Sequence, residues 1–206
     1  MLRALAVSAV LATSASASAD VLKLFAEVDG GGVLGKGTSG DPQIKDAAFF
    51  HNVPHGDYGV LVGAELVFLD VWVQHHQFTD GSRIATWTQL GLGVHAQIDF
   101  GDLAQRKSHD GGGFFEFGGG GWFGLGTGQQ VMPPLDNAQI TDKGFIAEGR
   151  VGIGAHLSSI FDLGVQVPVS WGYFIKNGVA VNETSSHYQG VQGEALLYLR
   201  GNLRLF

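Results

Sequence analysis

A histidine and a serine two residues apart, His156 and Ser158, are the first candidates for a reactive pair in this sequence of 206 residues. On a strand, side chains two positions apart lie on the same face, so an imidazole could act there as the base for a serine hydroxyl. The pair immediately precedes a short connection. We interpret His156 as an inward-facing histidine and Ser158 as a turn serine, and we predict no catalytic residue.

Metal binding is the second chemistry that the residue types allow. His51, His55 and Asp57 lie in a stretch rich in glycine and proline, and the adjacent His75 and His76 could contribute. Such a stretch fixes no ligand geometry, and neighbouring residues on a strand point to opposite faces. The sequence has no cysteine that could assist. We therefore predict neither a metal site nor a cofactor.

A third group of residues is charged and lies within segments that are otherwise apolar or glycine-rich. Its members are Glu27, Glu65, Glu116, Glu148, Arg150 and Glu194. One guanidinium can bind two carboxylates at once, so these residues predict a polar network in the interior of the protein. We expect Arg150 to lie at its centre, because we count it as the only arginine in the middle of a strand. It would face Gly118 and Gly120, where its long side chain has room.

The elements that position these groups are strands, because apolar and polar residues alternate along most of the chain. The clearest segment is residues 89–99, in which every second residue is apolar. The same alternation occurs in residues 22–29, 60–66, 115–125, 147–157, 162–170 and 191–200. Residues 71–78 alternate less well, because His75 and Gln77 share a face with two valines. We count them as the eighth strand.

The connections between these strands alternate in length. Long polar connections are predicted at residues 35–57, 79–85, 127–143 and 176–187, and short ones at residues 69–71 and 158–160. Residues 99–112 are an additional long connection that departs from the alternation. Long loops at one end and short turns at the other are typical of barrels in bacterial outer membranes.

Charge and glycine indicate which face of the strands lies inside. The polar faces carry the glutamates and Arg150 among many glycines, whereas the other faces carry leucine, valine, alanine and phenylalanine. A water-exposed face would be richer in lysine, serine and threonine, while a narrow barrel fills its interior with side chains and needs glycine to make room. We therefore predict an all-β fold, an antiparallel up-and-down transmembrane β-barrel of eight strands, with the apolar faces toward lipid.

Aromatic residues fall into two groups near opposite ends of the strands, as two membrane interfaces would select. The group beside the long connections is Tyr58, Phe78, Trp87, Phe145, Trp171, Tyr173 and Tyr188. The group near the other ends is Phe68, Trp72, Phe100, Phe115, Phe161 and Phe206. We interpret the two groups as interfacial belts, with ordinary core aromatics as the alternative.

Residues 1–19 have the features of a secretory signal peptide. Arg3 precedes an apolar stretch, and Ala17 and Ala19 form an A-x-A cleavage site. We expect cleavage before Asp20, which leaves residues 20–206 as the barrel domain. Export without cysteine is common among bacterial envelope proteins, whereas small secreted domains of other kinds usually need disulfides.

The composition excludes several classes of protein. A formal net charge of −7 disfavours nucleic acid as a partner, because phosphates require a basic surface. A charged fraction of 15% and an aromatic fraction of 11% exclude a disordered chain. After the first twenty residues, acidic residues interrupt every apolar run before it reaches the length of a spanning helix.

Two runs of sequence resemble the strand, tight turn and strand of small outer-membrane barrels of the OmpA, OmpX and OmpW type. The first extends from Gly63 to Trp72 and reads GAELVFLDVW, and the second extends from Gly154 to Leu163 and reads GAHLSSIFDL. Phe206 also matches the family's habit of ending on an aromatic residue of the last strand. The motifs are short, so the resemblance covers the architecture of residues 20–206 and brings no activity with it.

The last strand departs from the family's pattern in one respect. In the family the final phenylalanine shares the apolar face, whereas here Phe206 alternates in phase with Arg200 and Arg204. A bulge near Gly201 and Asn202 would restore the phase, because one extra residue moves all later side chains to the opposite face.

The resemblance implies an integral, non-enzymatic protein of the cell outer membrane in a Gram-negative bacterium. We expect a lumen filled by polar side chains, long exterior loops for surface or envelope interaction, and a monomer. Its partners would be outer-membrane lipids, lipopolysaccharide and the barrel assembly machinery. Three alternatives remain open: a narrow channel or lateral gate for small or hydrophobic molecules, a lipid A modifying enzyme, and a soluble lipocalin-like binder.

Overall fold

The structure is a computed structural model that describes residues 22–39, 55–79, 84–100, 112–118, 123–131, 139–177 and 186–205. The strands in this part of the chain are β1 (Leu22–Ser39), β2 (His55–Leu66), β3 (Leu69–Thr79), β4 (Ile84–Phe100), β5 (Gly113–Gly118), β6 (Phe123–Val131), β7 (Gln139–His156), β8 (Phe161–Asn177) and β9 (Ser186–Arg204). The predicted signal peptide and its cleavage site lie outside the described residues.

The strands form one closed ring. Consecutive strands pair antiparallel from β1 to β5 and from β6 to β9, and β9 returns to pair with β1. The segments β5 and β6 form a single barrel strand, because both pair with β4 on one side and with β7 on the other. The predicted all-β, antiparallel, up-and-down barrel of eight strands is confirmed, and the weakly alternating residues 71–78 lie within β3.

The ends of the described chain and its short turns lie at the same end of the barrel. The backbone N–H of Leu205 donates to the carbonyl of Leu22 over 3.0 Å. The turn between β2 and β3 consists of Val67 and Phe68, so the prediction of a turn at residues 69–71 is wrong. Val67 has a φ of 62°, a conformation that a β-branched residue rarely adopts, and residue types alone therefore gave little indication of this turn.

Most of the connections predicted to be long are shorter than expected because the strands extend into them. β1 continues to Ser39 and β2 begins at His55, and only residues 80–83 separate β3 from β4. Strands also cover residues 127–131, 139–143, 176–177 and 186–187. These end segments are polar or glycine-rich on both faces, so they lack the alternation that marks a strand with one apolar face, although the backbone ladder continues.

The fifth barrel strand contains two more residues than its neighbours between β5 and β6. Gly118 lies opposite His95 and Phe123 lies opposite Leu92, so five steps along this strand match three steps along β4. The pairing with β7 shifts by the same amount. An even number of extra residues preserves the alternation of faces, so both segments remain compatible with one inside and one outside surface.

The distribution of apolar and polar side chains in the barrel is the reverse of that in a water-soluble protein. Among the described residues, 33 large hydrophobic side chains are exposed, whereas 9 hydrophobic and 15 polar or charged side chains are buried. The burial pattern of β3 alternates at every residue, with the polar residues Asp70, Gln74 and His76 on the inner face and Val71 and Val73 on the outer face. The described residues include no helix that is long and apolar enough to cross a membrane.

The interpretation of the aromatic residues as outer belts is correct for some of them and wrong for others. Tyr58, Phe68, Phe115, Phe161 and Trp171 are exposed on the outer face, and Phe145 packs against Trp171 and Tyr173. Trp72, Phe78 and Trp87 are buried instead, with exposed fractions of 3%, 4% and 2%. They occupy inward positions of β3 and β4, where aromatic side chains fill the interior of a narrow barrel. The side chains of Phe100, Tyr188 and Phe206 lie outside the described part.

The bulge expected near the end of the last strand is absent from the described residues. The pairing of β9 with β1 is continuous from Tyr188 opposite Ser39 to Arg204 opposite Lys23. Because no residue is inserted, Leu203 and Leu205 stay on the outer face and Asn202 stays in phase with the inner face.

Candidate functional site

A cross-barrel ion pair forms the centre of the interior. The guanidinium of Arg200 on β9 donates from Nε and Nη2 to Oε2 of Glu27, with both distances 2.7 Å. Its Nη1 donates to Oε2 of Glu116 over 2.7 Å. Glu27 lies directly opposite Arg200 on the neighbouring strand β1, whereas Glu116 comes from β5. All three side chains are buried, so one arginine joins two carboxylates from different parts of the barrel wall.

The network continues from Glu116 through His95 and Glu65 to β1. His95 Nε2 lies 3.4 Å from Glu116 Oε2, and His95 Nδ1 lies 3.7 Å from Glu65 Oε2. Glu65 also forms an ion pair with Lys23. Charges of opposite sign therefore alternate along this side of the interior when His95 is protonated.

On the other side of Arg200, the network reaches Arg150 through a glutamine. Gln166 Nε2 donates to Glu27 Oε1 over 2.8 Å, and Arg150 Nη1 donates to Gln166 Oε1 over 3.5 Å. Arg150 forms its ion pair with Glu148, at 2.6 Å from Nη2 and 2.9 Å from Nε. Arg150 lies opposite Gly118, as expected, but Gly120 lies outside the described residues.

The structure thus brings most of the predicted network residues together and changes the centre of the network. Glu27, Glu65, Glu116, Glu148 and Arg150 are linked through shared partners, but the bridging cation is Arg200. The expectation that Arg150 was the only arginine in the middle of a strand is wrong, because β9 continues to residue 204 and places Arg200 well inside the barrel. Identifying Arg200 as the bridging cation requires the register of β9 against β1, and the sequence alone does not give that register.

Glu194 lies apart from this network. Its Oε1 accepts a hydrogen bond of 2.5 Å from Gln192 Nε2, and its side chain is buried. No described cation forms an ion pair with it.

Glycines make room for the large side chains that cross the interior. A Cβ atom at Gly152 would lie 2.7 Å from Oε1 of Glu116, and one at Gly164 would lie 2.6 Å from the ring of Tyr198. The ring of Tyr198 in turn lies 4.7 Å from the guanidinium carbon of Arg200. At Gly152 and Gly164 a neighbouring side chain therefore lies against bare backbone.

A second polar cluster consists of Asp29, Asp57 and His76, from β1, β2 and β3. His76 Nδ1 lies 2.9 and 3.0 Å from the two oxygens of Asp57, and His76 Nε2 lies 3.9 Å from Oδ2 of Asp29. The side chains of the three residues are at most 4% exposed. The sequence suggested Asp57 and His76 together as possible metal ligands, but it did not connect them with Asp29. Of the other histidines considered with them, His75 faces outward and contacts Thr88, and His51 lies outside the described residues.

The contacts described for His156 and Ser158 are with other groups and not with each other. His156 is buried, and its Nδ1 lies 2.6 Å from Oδ1 of Asp162. Ser158 lies in the turn at residues 157–160, where its Oγ accepts hydrogen bonds from the backbone N–H groups of Ile160 and Phe161 over 3.3 and 3.1 Å. The arrangement agrees with the interpretation as an inward histidine and a turn serine.

A small cavity lies beside the central ion pair. Its volume is about 30 Å³, and its lining includes Glu27, Trp72, His95, Arg150 and Arg200. A water molecule needs about 10 to 15 Å³ of such volume, so the cavity has room for about two or three waters.

Comparison with known proteins finds several similar solved structures, three of which are as follows. The chain has 12% sequence identity to Neisserial surface protein A, with 86% of this chain and 96% of that chain covered and a TM-score of 0.49. For the N-terminal β-barrel domain of Pseudomonas aeruginosa OprF the identity is 12%, the coverage 88% and 97%, and the TM-score 0.42. For the translocator domain of the autotransporter NalP from Neisseria meningitidis the values are 11%, 98% and 95%, and 0.34. No family model matches the sequence, and no curated protein matches it.

Proposed function

We propose that this chain is an integral outer-membrane β-barrel protein of a Gram-negative cell and that it is not an enzyme. Its interior is filled by polar side chains, and its connections at the end away from the described termini serve contacts at the cell surface or within the envelope. Its partners are outer-membrane lipids, lipopolysaccharide and the barrel assembly machinery, and it is a monomer. The observation that carries the proposal is the continuous apolar outer surface.

The outer face of β8 shows this surface most clearly. From Phe161 to Trp171 every outward residue is large and apolar, with Leu163 and three valines between the two aromatic residues. This interval spans eleven residues, and a strand needs about 9 to 11 residues to cross a bilayer. A soluble monomer seldom exposes more than a few hundred Å² of continuous apolar surface, so a lipocalin-like binder in water does not fit.

The interior supports a barrel that passes nothing large. Arg200 joins Glu27 and Glu116 across it, and the cavity beside them holds only a few waters. Opening a path here would separate buried charges from their partners, which is costly in a low-dielectric interior. Ser158 Oγ accepts two backbone hydrogen bonds within a turn, which supports a structural role for this serine.

We expect the protein to fractionate with the outer membrane and to remain there after carbonate washing. The physical reason is that the apolar outer surface is stable only in lipid, whereas carbonate releases proteins bound by charge alone. Immunoblots of inner-membrane, outer-membrane and soluble fractions provide the measurement, and a peripheral envelope protein serves as the control that carbonate removes. Recovery in the soluble fraction would contradict the proposal and favour a soluble binder.

We also expect no stable conductance steps when the folded protein is added to planar lipid bilayers. The reason is that, among the described residues, Arg200 joins carboxylates across the lumen and the cavity beside them is small. Single-channel recording checks this expectation, with a porin as the positive control and protein-free detergent as the blank. Reproducible steps that scale with protein concentration would instead support the narrow-channel alternative.

A further inference from the structure

We propose that Asp29, Asp57 and His76 form a binding site for one divalent transition-metal ion of the zinc class. The site lies in the interior of the barrel, and it is separate from the ion pairs around Arg200. It does not depend on the proposed membrane location, because all three residues belong to described strands of one closed ring.

The strand register brings the three side chains together. Asp29 lies opposite Gly59, and Gly59 lies opposite His76, while Asp57 is two residues from Gly59 on the same face. A Cβ atom at Gly59 would lie 2.8 Å from the ring of His76, so the imidazole packs directly on this glycine. One potential ligand atom from each of the three residues lies within 4.8 Å of the others.

A buried oxygen without a hydrogen bond supports cation binding at this cluster. The side chain of Asp29 is 1% exposed, and its Oδ1 has no hydrogen-bond partner among the described residues. A buried carboxylate oxygen without a hydrogen bond or a counter-ion is destabilising, and nearly all such oxygens in folded proteins have one or the other. A bound cation supplies that partner.

The local charge balance also favours a cation. Among the described residues, His76 is the sole ion-pair partner of Asp29 and of Asp57. The buried arginines of the interior pair with other glutamates. Even when His76 is protonated, the cluster retains one net negative charge, and a divalent ion with a neutral imidazole would neutralise both carboxylates.

The donor set selects the class of metal. Calcium and magnesium prefer six or more oxygen ligands, whereas an imidazole nitrogen with carboxylate oxygens suits zinc and neighbouring divalent metals. One ring nitrogen of His76 would bind the ion and the other would keep a hydrogen bond. Such a second hydrogen bond fixes the orientation of metal-binding histidines. The amide of Gln74 contacts Nε2, and Asp57 contacts Nδ1, so both nitrogens already face polar groups.

The test measures zinc retained by the purified protein in detergent micelles. Zinc chloride is added in excess during folding or afterwards, unbound metal is removed by gel filtration, and the metal is counted by mass spectrometry. We expect one zinc ion more per chain in the wild type than in Asp29→Asn or His76→Gln, because losing a ligand should weaken binding by more than the roughly 10- to 100-fold that loss of an outer-shell partner costs. His75→Gln, which changes the outward-facing neighbour on the same strand, should retain as much zinc as the wild type.

Migration of unboiled samples on gels shows whether each variant has folded. Asp29→Asn keeps the shape of the side chain, so it remains informative if His76→Gln does not fold. The proposal is overturned if the folded wild type retains no zinc at micromolar concentration, or if folded Asp29→Asn retains as much as the wild type. In either result the cluster is a hydrogen-bonded histidine between two carboxylates and not a metal site.

Discussion

Arg200→Ala is expected to lower the free energy of unfolding by about 3 to 5 kcal/mol, because breaking a buried ion pair leaves uncompensated charge in the interior. Arg200 is 6% exposed and joins Glu27 and Glu116, each at 2.7 Å. Without the guanidinium these two glutamates lose their shared counter-ion. The measurement is urea or guanidinium unfolding of the protein in detergent or vesicles, followed by tryptophan fluorescence.

Two further arginines serve as controls for this experiment. Arg204→Ala, four residues along the same strand and exposed, should change the free energy by no more than about 0.5 kcal/mol. Arg150→Ala should cost less than Arg200→Ala, because Arg200 joins two buried carboxylates, whereas the ion pair described for Arg150 is with Glu148. Equal losses for Arg200 and Arg204 would mean that the ion pair across the lumen contributes little to stability.

A neutral replacement of the whole group tests whether the three residues act as a unit. In the triple variant Glu27→Gln, Glu116→Gln, Arg200→Met the buried charges disappear together. Buried ion pairs can often be replaced by neutral side chains of similar size with little loss of stability. We therefore expect the triple variant to recover most of the stability lost in Arg200→Ala, an outcome that three independent residues would not give.

The fold was predictable because its physical requirement is local. A strand with one apolar and one polar face needs alternation at every second residue, and Leu90 to Ile98 or Leu163 to Val169 meet that requirement without any tertiary information. The assignment of faces was also predictable, because glutamate and glycine together do not fit a surface in contact with lipid. The strand ends were not, since segments such as residues 35–39 are polar on both faces and continue the ladder without alternating.

The partners inside the barrel could not be predicted, because they depend on register. Glu27 and Arg200 are separated by 173 positions along the chain, and Glu116 and Arg200 by 84. Sequence reading placed these residues on inner faces, yet it could not tell at which height each would lie. The cluster of Asp29 and His76 was missed for the same reason, since it depends on the alignment of β1, β2 and β3 at Gly59.

The second large effect is expected on the outer surface. Val167→Arg should lower the free energy of unfolding in lipid vesicles by about 2 to 4 kcal/mol, the cost of a cationic side chain facing lipid at the bilayer midplane. Val167 faces outward near the middle of the interval from Phe161 to Trp171, so its side chain lies far from both aromatic belts. Chemical unfolding of the protein in vesicles of defined thickness measures the change.

Ile175→Arg is the matched control. The two positions are equally exposed but lie at different distances from the predicted bilayer midplane, so a difference between them reports depth in the membrane and not contacts within the protein. Both side chains are 44% exposed on the outer face of the same strand, so contacts within the barrel do not distinguish them. Ile175 lies beyond the aromatic residues Trp171 and Tyr173, where an arginine should cost about 0 to 1 kcal/mol. In a barrel surrounded by water, both substitutions would stay within about 0.5 kcal/mol of the wild type. A difference between the two positions therefore requires a lipid environment whose polarity changes along β8, and equal small effects would place the apolar surface against something other than a bilayer.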